Sequence, residues 1–248
     1  MVASLLDERA FIKPVAKFFQ SRYLISITMK PKIALVITDR ETNTQIKSSH
    51  VDLLELRVDL FKKWRLEHIR KQIFNRRKLK LPLLLTVRNQ KKEGAAIDWS
   101  DEHKRQILHM ALPLVDMVDI ELSSPLLKET LSQARHLKKK TIVSVHDFNH
   151  TPLHLENIFK KALSTRADII KIATKANSFD DVFRMIEFTR QHRKSPLITL
   201  SIGIFGRISR LLLPAAGSLY TYTFLHKPTT PGQIDLKNLK DHLKFYYP

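Results

Sequence analysis

The chain is 248 residues long and 43% hydrophobic, with 5 glycines, 11 prolines and no cysteine. That is enough apolar material for one large domain or two small ones, and it excludes disulfides, thiolate metal sites and a cysteine nucleophile. A formal charge of +19 raises nucleic acid or an anionic membrane as partners. However, the basic clusters "RRKLK", "HLKKK" and "RQHRK" fall at the ends of expected helices, where cations meet the helix dipole and a solvated basic face accounts for them.

From residue 32 onward, short apolar runs recur in order: "KIALVIT" (32–38), "VDLLELR" (51–57), "LPLLLTVR" (81–88), "VDMVDIEL" (115–122), "TIVSVH" (141–146), "ADIIKIA" (167–173), "PLITLSI" (196–202) and "LYTYTFL" (219–225). They are nearly continuous rather than alternating, as strands buried on both faces of a parallel sheet are. Between most of them lie segments such as "SDEHKRQILHMALPL", "SSPLLKETLSQARHLKKK", "HLENIFKKALSTR" and "SFDDVFRMIEFTRQHRK", whose apolar residues recur at helical spacing. The first crossover, "DRETNTQIKSSH", is short and polar and has room for a turn or two of helix. Eight strand-helix units predict an α/β chain folded as a single-domain (β/α)₈ TIM barrel over 32–248, with an open doubly wound sheet as the competitor. No apolar run nears the roughly 20 residues of a membrane span, and the first 30 residues lack the charged start, apolar run and cleavage site of a secretion signal. A cytoplasmic location without membrane attachment is the expectation.

A barrel places its functional groups at the C-terminal ends of strands, and titratable residues occur there: Glu55 and Arg57, Arg88, His146, and Lys171 within strand six. A lysine inside "ADIIKIA" lies in a dry place, and desolvation, which lowers an amine's pKa, would make it a nucleophile able to form a Schiff base with a ketone. The alternative is a structural lysine paired with a buried carboxylate. His146, one unit earlier, is either a hydrogen-bonded core histidine or an acid-base group for the same substrate. Glu93, on the loop after strand three, could orient that imidazole. Arg210 follows the glycine-bearing "SIGIFGRIS", in a region where barrels hold anions, and its planar guanidinium suits a carboxylate. The turn "KPTTPGQI" offers Thr229, Thr230 and Gln233 as hydrogen-bonding groups. Arg57, Arg88 and Arg210 could equally be surface charges. The set closest to a metal site, His146, Asp147 and His150, lies on one short loop that does not arrange three ligands facially, so no metal is expected.

"ELRVDLF", "TVRNQKKEGA", "VDMVDIEL", "SVHDFNHTP", "ADIIKIA", "SIGIFGRISR" and "KPTTPGQI", taken together and in this order, resemble type I 3-dehydroquinate dehydratases of the shikimate pathway. The resemblance implies a usually homodimeric (β/α)₈ lyase, with no metal or organic cofactor, that dehydrates 3-dehydroquinate to 3-dehydroshikimate through a lysine imine. It makes Lys171 the imine-forming residue, His146 the general acid-base and Glu93 the partner of that histidine. It gives Glu55, Arg57 and Arg88 to the substrate hydroxyls, Arg210 to the carboxylate, and Thr229 and Gln233 to further substrate contacts. The chain departs from the family pattern in a loop one residue longer between Arg88 and Glu93, in Ile202 where methionine is common, and in Thr230 where alanine is usual. Residues 1–31 lie mostly outside the resemblance. They read as an N-terminal extension that includes a hairpin strand at "RYLISIT" or an appended helix, or as a start set upstream of one near Met29.

Two other readings compete. A class I aldolase would share the lysine but has no need of the His146, Arg210 and Gln233 set. A non-catalytic nucleic-acid-binding barrel would use the +19 charge and would bind duplexes with steep salt dependence. No nucleic-acid partner is expected.

Overall fold

The computed structural model describes residues 31–47, 49–88 and 99–247. Except for residue 31, the expected N-terminal extension lies outside the described residues. The elements are β1 (Lys32–Ile37), α1 (Asn43–Lys47), β2 (Leu53–Arg57), α2 (Leu66–Arg77), β3 (Leu83–Thr86), α3 (Asp101–Ala111), β4 (Met117–Glu121), α4 (Leu127–His136), β5 (Lys140–Asp147) and α5 (Leu155–Leu163). They continue with β6 (Ile169–Lys175), α6 (Phe179–Gln191), β7 (Leu197–Ile202), α7 (Ser209–Ala216), β8 (Tyr220–Phe224), β9 (Ile234–Asp235) and α8 (Leu236–Tyr246).

Every strand pairing is parallel, in the order β7-β6-β5-β4-β3-β2-β1-β8-β9. The sheet curls until β7 meets β8, where Leu219 N–H donates to the Leu197 carbonyl at 2.9 Å and Ser218 Oγ accepts from Thr199 N–H at 3.0 Å. The serine thus replaces a rung of the ladder at the seam. The expected (β/α)₈ architecture is present, with β9 added on β8. Among the described residues no helix is long and apolar enough to cross a membrane.

Two apolar layers explain the nearly continuous strand runs. Leu54, Leu56, Leu83, Leu85, Val118, Ile120, Val143, Ile170 and Ile172 belong to the cluster packed beneath the helices. Leu53, Leu84, Met117, Ile142 and Ile169 form part of a separate cluster inside the barrel. Because successive side chains of a strand point to opposite faces, each strand feeds both layers, and each fully buried Leu or Ile contributes about 1.5–3 kcal/mol. The helices present matching stripes, such as Leu155, Phe159 and Ala162 on α5 and Val182, Met185 and Phe188 on α6.

The basic clusters are largely exposed, as a solvated face is, and two of them also shape the chain. Lys80 and Lys138 adopt positive φ (57° and 53°) where α2 and α4 give way to the following strands. Arg76, within "RRKLK", is buried, and its guanidinium donates to the carbonyls of Glu41 (2.6 Å) and Thr38 (3.3 Å) and to Asn43 Oδ1 (2.7 Å). It ties α2 to the short α1 crossover.

Candidate active site

Above the apolar floor, the same alternation turns polar side chains into the barrel. The inward positions become Glu55 and Arg57 on β2, Thr86 and then Arg88 at the end of β3, Asp119 and Glu121 on β4, Ser144 and His146 on β5, and Lys171 on β6. Lys171 is 4% exposed, so its charge must be met locally. Its Nζ lies 3.1 Å from Glu55 Oε1 and 3.3 Å from Asp119 Oδ2. Thr86 Oγ1 donates to the same Glu55 oxygen at 3.0 Å, and Ser144 Oγ to Asp119 Oδ1 at 2.6 Å.

These carboxylates overturn the expectation of a depressed lysine pKa. Burial is the largest single influence and lowers it, but the charges around Nζ, Glu55 foremost and Asp119 with it, together outweigh the desolvation, so the pKa stands above the ordinary lysine value. In the unliganded site Lys171 is an ammonium. Burial also disfavours the Asp119 carboxylate, yet Arg88 and Lys171 hold it well below the usual range.

Arg88 and Arg57 are not surface charges. Arg88 is 2% exposed, with contacts to Asp119 Oδ1 at 2.8 Å, Glu121 Oε1 at 3.2 Å and Ser144 Oγ at 3.0 Å. Beyond it, Glu121 meets the buried Lys104 of α3 at 2.5 Å. Arg57 grips Asp59 in a two-point contact at 2.9 and 2.7 Å. Each guanidinium is thereby fixed in orientation before any ligand arrives.

Arg210 differs from the expectation in both place and surroundings. It lies in the first turn of α7 rather than on a loop, and it is 2% exposed. After β7 the chain turns sharply at Gly203 (φ +95°), passes through a 3₁₀ turn over Phe205–Ile208 and enters the helix directly. Among the described residues, its Nε and one terminal nitrogen have no hydrogen-bond partner. Desolvation alone pushes its pKa down to about 10. Among the described residues this buried cation has no counter-charge, which is costly, and it borders the cavity.

The loop after β8 closes the site from the other side. Gly232 (φ +81°) packs against the Gly203 backbone with no room for a Cβ, and Gly203 N–H donates to the Pro231 carbonyl at 3.0 Å. Gln233 Oε1 accepts from Thr229 N–H at 2.6 Å, Thr230 N–H at 3.3 Å and Thr229 Oγ1 at 3.2 Å. Its carbonyl end therefore shapes the turn, and only its NH₂ is left for a ligand.

Lys171, His146, Glu55, Arg57, Arg88, Arg210, Thr229 and Gln233 all line one cavity, partly open to solvent, with polar groups converging on it as they do in small-molecule sites. Glu93 lies outside the described residues. Asp147 serves the loop itself. Its Oδ1 caps the turn by accepting from the N–H groups of Asn149 (2.8 Å) and His150 (3.0 Å).

Four neighbours of the site were missed in the sequence. Asp119 and Glu121 stand two apart in "VDMVDIEL", the spacing that puts both on one strand face, and that signal was there to be read. Phe148 stacks on His146, with ring centroids 6.1 Å apart and planes 10° apart. Tyr222 places its ring 4.4 Å from Lys171 Nζ.

A closed parallel barrel with a buried lysine between carboxylates, at the strand ends and beside a cluster of arginines, defines an α/β-barrel enzyme site for a small anionic molecule. The type I 3-dehydroquinase model matches residues 33–248. The 3-dehydroquinate dehydratase of Hydrogenobaculum sp. is 34% identical over 220 residues, covering 87% of this chain and 99% of its own. That of Thermodesulfovibrio yellowstonii is 35% identical, covering 84% and 92%. The crystal structure of the 3-dehydroquinate dehydratase from Aquifex aeolicus superimposes with a TM-score of 0.77 at 32% identity, over 88% of this chain and 99% of that one. This chain belongs to the type I 3-dehydroquinase family.

Proposed function

We propose that the chain converts 3-dehydroquinate to 3-dehydroshikimate and water through a Schiff base on Lys171. The observation that carries this reading is one cavity holding a buried lysine amine and, in Arg210, a buried guanidinium with two nitrogens that have no partner among the described residues: a site for a molecule with both a ketone and a carboxylate. Arg210 takes the carboxylate. Glu55, Arg57 and Arg88 face the ring hydroxyls, and Thr229 and the Gln233 NH₂ add hydrogen bonds.

Once the iminium has formed it draws electrons from the adjacent carbon, and His146 removes the C2 proton to give an enamine. The enamine pair then expels the C1 hydroxyl, which takes a proton from the imidazolium and leaves as water. Hydrolysis of the conjugated iminium releases product and lysine. One imidazole serves both transfers, and Glu93 is its proposed orienting partner. A structure of the type I dehydratase from Clostridium difficile, 28% identical to this chain, is described with covalent modified comenic acid, which supports covalent chemistry in the family. The aldolase reading accounts for the lysine but leaves the Arg210 site without a ligand.

The direct test is ultraviolet absorbance of a conjugated enoate when 3-dehydroquinate is added. The wild type is expected to produce it. His146→Ala is expected to slow its appearance by at least ~10²-fold while a borohydride-reducible adduct accumulates. Wild-type turnover in that variant would make His146 a structural residue.

We also propose a homodimer acting in the cytoplasm. Phe179, Phe183, Ile204, Ile208 and Leu212 are exposed on α6, α7 and the turn between β7 and α7, with Phe179 edge-on to Phe205 at 5.3 Å, and apolar surface of this kind favours burial against a second copy. Light scattering is expected to give twice the chain mass, and Phe183→Asp to halve it. A monomeric wild type would refute the dimer.

A further inference from the structure

Tyr222 stands at the centre of β8, 3% exposed and lining the cavity. Its hydroxyl is buried and reaches no full hydrogen-bond geometry among the described residues, though the Lys171 ammonium stands near enough to bear on it. Buried hydroxyls are nearly always satisfied, and one that is not asks for a ligand or a chemical task. Phenylalanine would fill the same space without that cost. The ring lies against Lys171, with Nζ 4.4 Å from its centroid, and the hydroxyl is one bond beyond the ring. Burial raises the phenol pKa above its ordinary value, so the group stays protonated and can donate.

The charge state of Lys171 supplies the task. Glu55 and Asp119 hold Nζ as an ammonium, and an ammonium plus a ketone become an iminium plus water. Nitrogen must therefore lose two protons in all and the ketone oxygen must gain two. One proton leaves Nζ as its lone pair attacks the carbonyl carbon and the carbonyl π pair moves to oxygen, giving a carbinolamine. The second lets that hydroxyl depart as water while the nitrogen pair forms the C=N bond. No proton enters or leaves the site overall, but each must travel from nitrogen to an oxygen on the neighbouring carbon. Asp119 is a poor carrier, because Arg88 and Lys171 hold it ionised. A phenol can accept one proton while giving up its own, and this one sits against the attacking amine.

We propose that the Tyr222 hydroxyl relays protons from Lys171 Nζ to the ketone oxygen during imine formation, an assignment that rests on the Schiff-base reading above. It makes Tyr222 a catalytic residue for the step before elimination, distinct from His146, which acts after it.

The test is Tyr222→Phe, which keeps the ring beside Nζ and removes only the oxygen. Rapid quenching with borohydride in the presence of 3-dehydroquinate measures how fast the reduced Lys171 adduct forms. The variant is expected to form it about 10²-fold more slowly, with less adduct at steady state because imine formation limits turnover. His146→Ala has the opposite signature, normal formation and accumulation. Thermal unfolding of Tyr222→Phe is expected at the same temperature or higher, since an unsatisfied buried hydroxyl is gone. An adduct formed within about threefold of the wild-type rate would overturn the relay. A wild-type enzyme that dehydrates its substrate without any Lys171 adduct would instead remove the imine itself, a failure that the wild-type control reveals separately.

Discussion

Lys171→Arg is expected to lose measurable dehydration and all borohydride trapping while remaining folded. Guanidinium stays protonated and cannot attack a ketone, yet it keeps a positive charge between Glu55 and Asp119, which lie 3.1 and 3.3 Å from Nζ. Loss of activity in this variant therefore isolates nucleophilicity from charge compensation. Lys171→Met removes both, and leaving two buried carboxylates with too little positive charge is expected to destabilise the fold by about 3–5 kcal/mol as well.

The pH dependence follows from the same contacts. The raised Lys171 pKa makes its stabilising contribution complete below the free-lysine value of about 10.4 and lost only as pH climbs through the higher folded value. The lowered Asp119 pKa makes its contribution complete above about 3.9 and lost as pH falls through the still lower folded value. Stability from this cluster should thus be level between those limits. In the wild type, 3-dehydroquinate plus borohydride is expected to inactivate the enzyme and leave the adduct within "ADIIKIATK", and borohydride alone to do neither. An active arginine variant, or an adduct on another lysine, would overturn the role of Lys171.

The barrel was legible because its strands announce themselves twice, as apolar runs and by helical segments of the right length between them. The polar interior was only partly legible, and "VDLLELR" and "VDMVDIEL" show why. In both, acids stand among apolar residues at strand spacing. Glu55 was recognised beside Arg57, whereas Asp119 and Glu121 passed as ordinary interruptions because no basic residue on their own strand drew attention to them. Their partners, Arg88, Lys104 and Lys171, come from other elements, and only the closed barrel brings these together.

The expected fall in the Lys171 pKa failed for the same reason. Burial could be read from "ADIIKIA", but the carboxylates that overcome it sit 116 and 52 residues away in the chain. In "LYTYTFL" tyrosine and threonine alternate, and either set suits a barrel interior. The threonines turn outward, where Thr221 Oγ1 donates to the Arg210 carbonyl at 2.9 Å and Thr223 Oγ1 to the Ile234 carbonyl at 2.8 Å, which leaves Tyr222 to the site.

Arg210→Met is expected to raise KM for 3-dehydroquinate by about 10²-fold or more, the cost of removing one partner from a buried charge pair, and at the same time to stabilise the unliganded protein. The second effect follows from burial without a partner. A guanidinium whose pKa is pushed down from its ordinary value to about 10 is one whose charged form the fold disfavours, by about 3 kcal/mol. That penalty is fully present below about pH 10 and is relieved as pH rises from there towards the unfolded value. Methionine fills much of the same volume with no charge to desolvate, so the unliganded variant should unfold at a temperature higher by several degrees. Substrate reverses the order, because a bound carboxylate supplies the missing counter-charge in the wild type and finds none in the variant. Ligand-induced stabilisation should therefore be large in the former and small in the latter. Thermal unfolding of both proteins with and without 3-dehydroquinate, beside steady-state kinetics, measures each arm. An unchanged KM would remove the carboxylate role of Arg210. A variant less stable than the wild type without ligand would mean that the guanidinium holds the fold together rather than waiting, unpaired, for an anion.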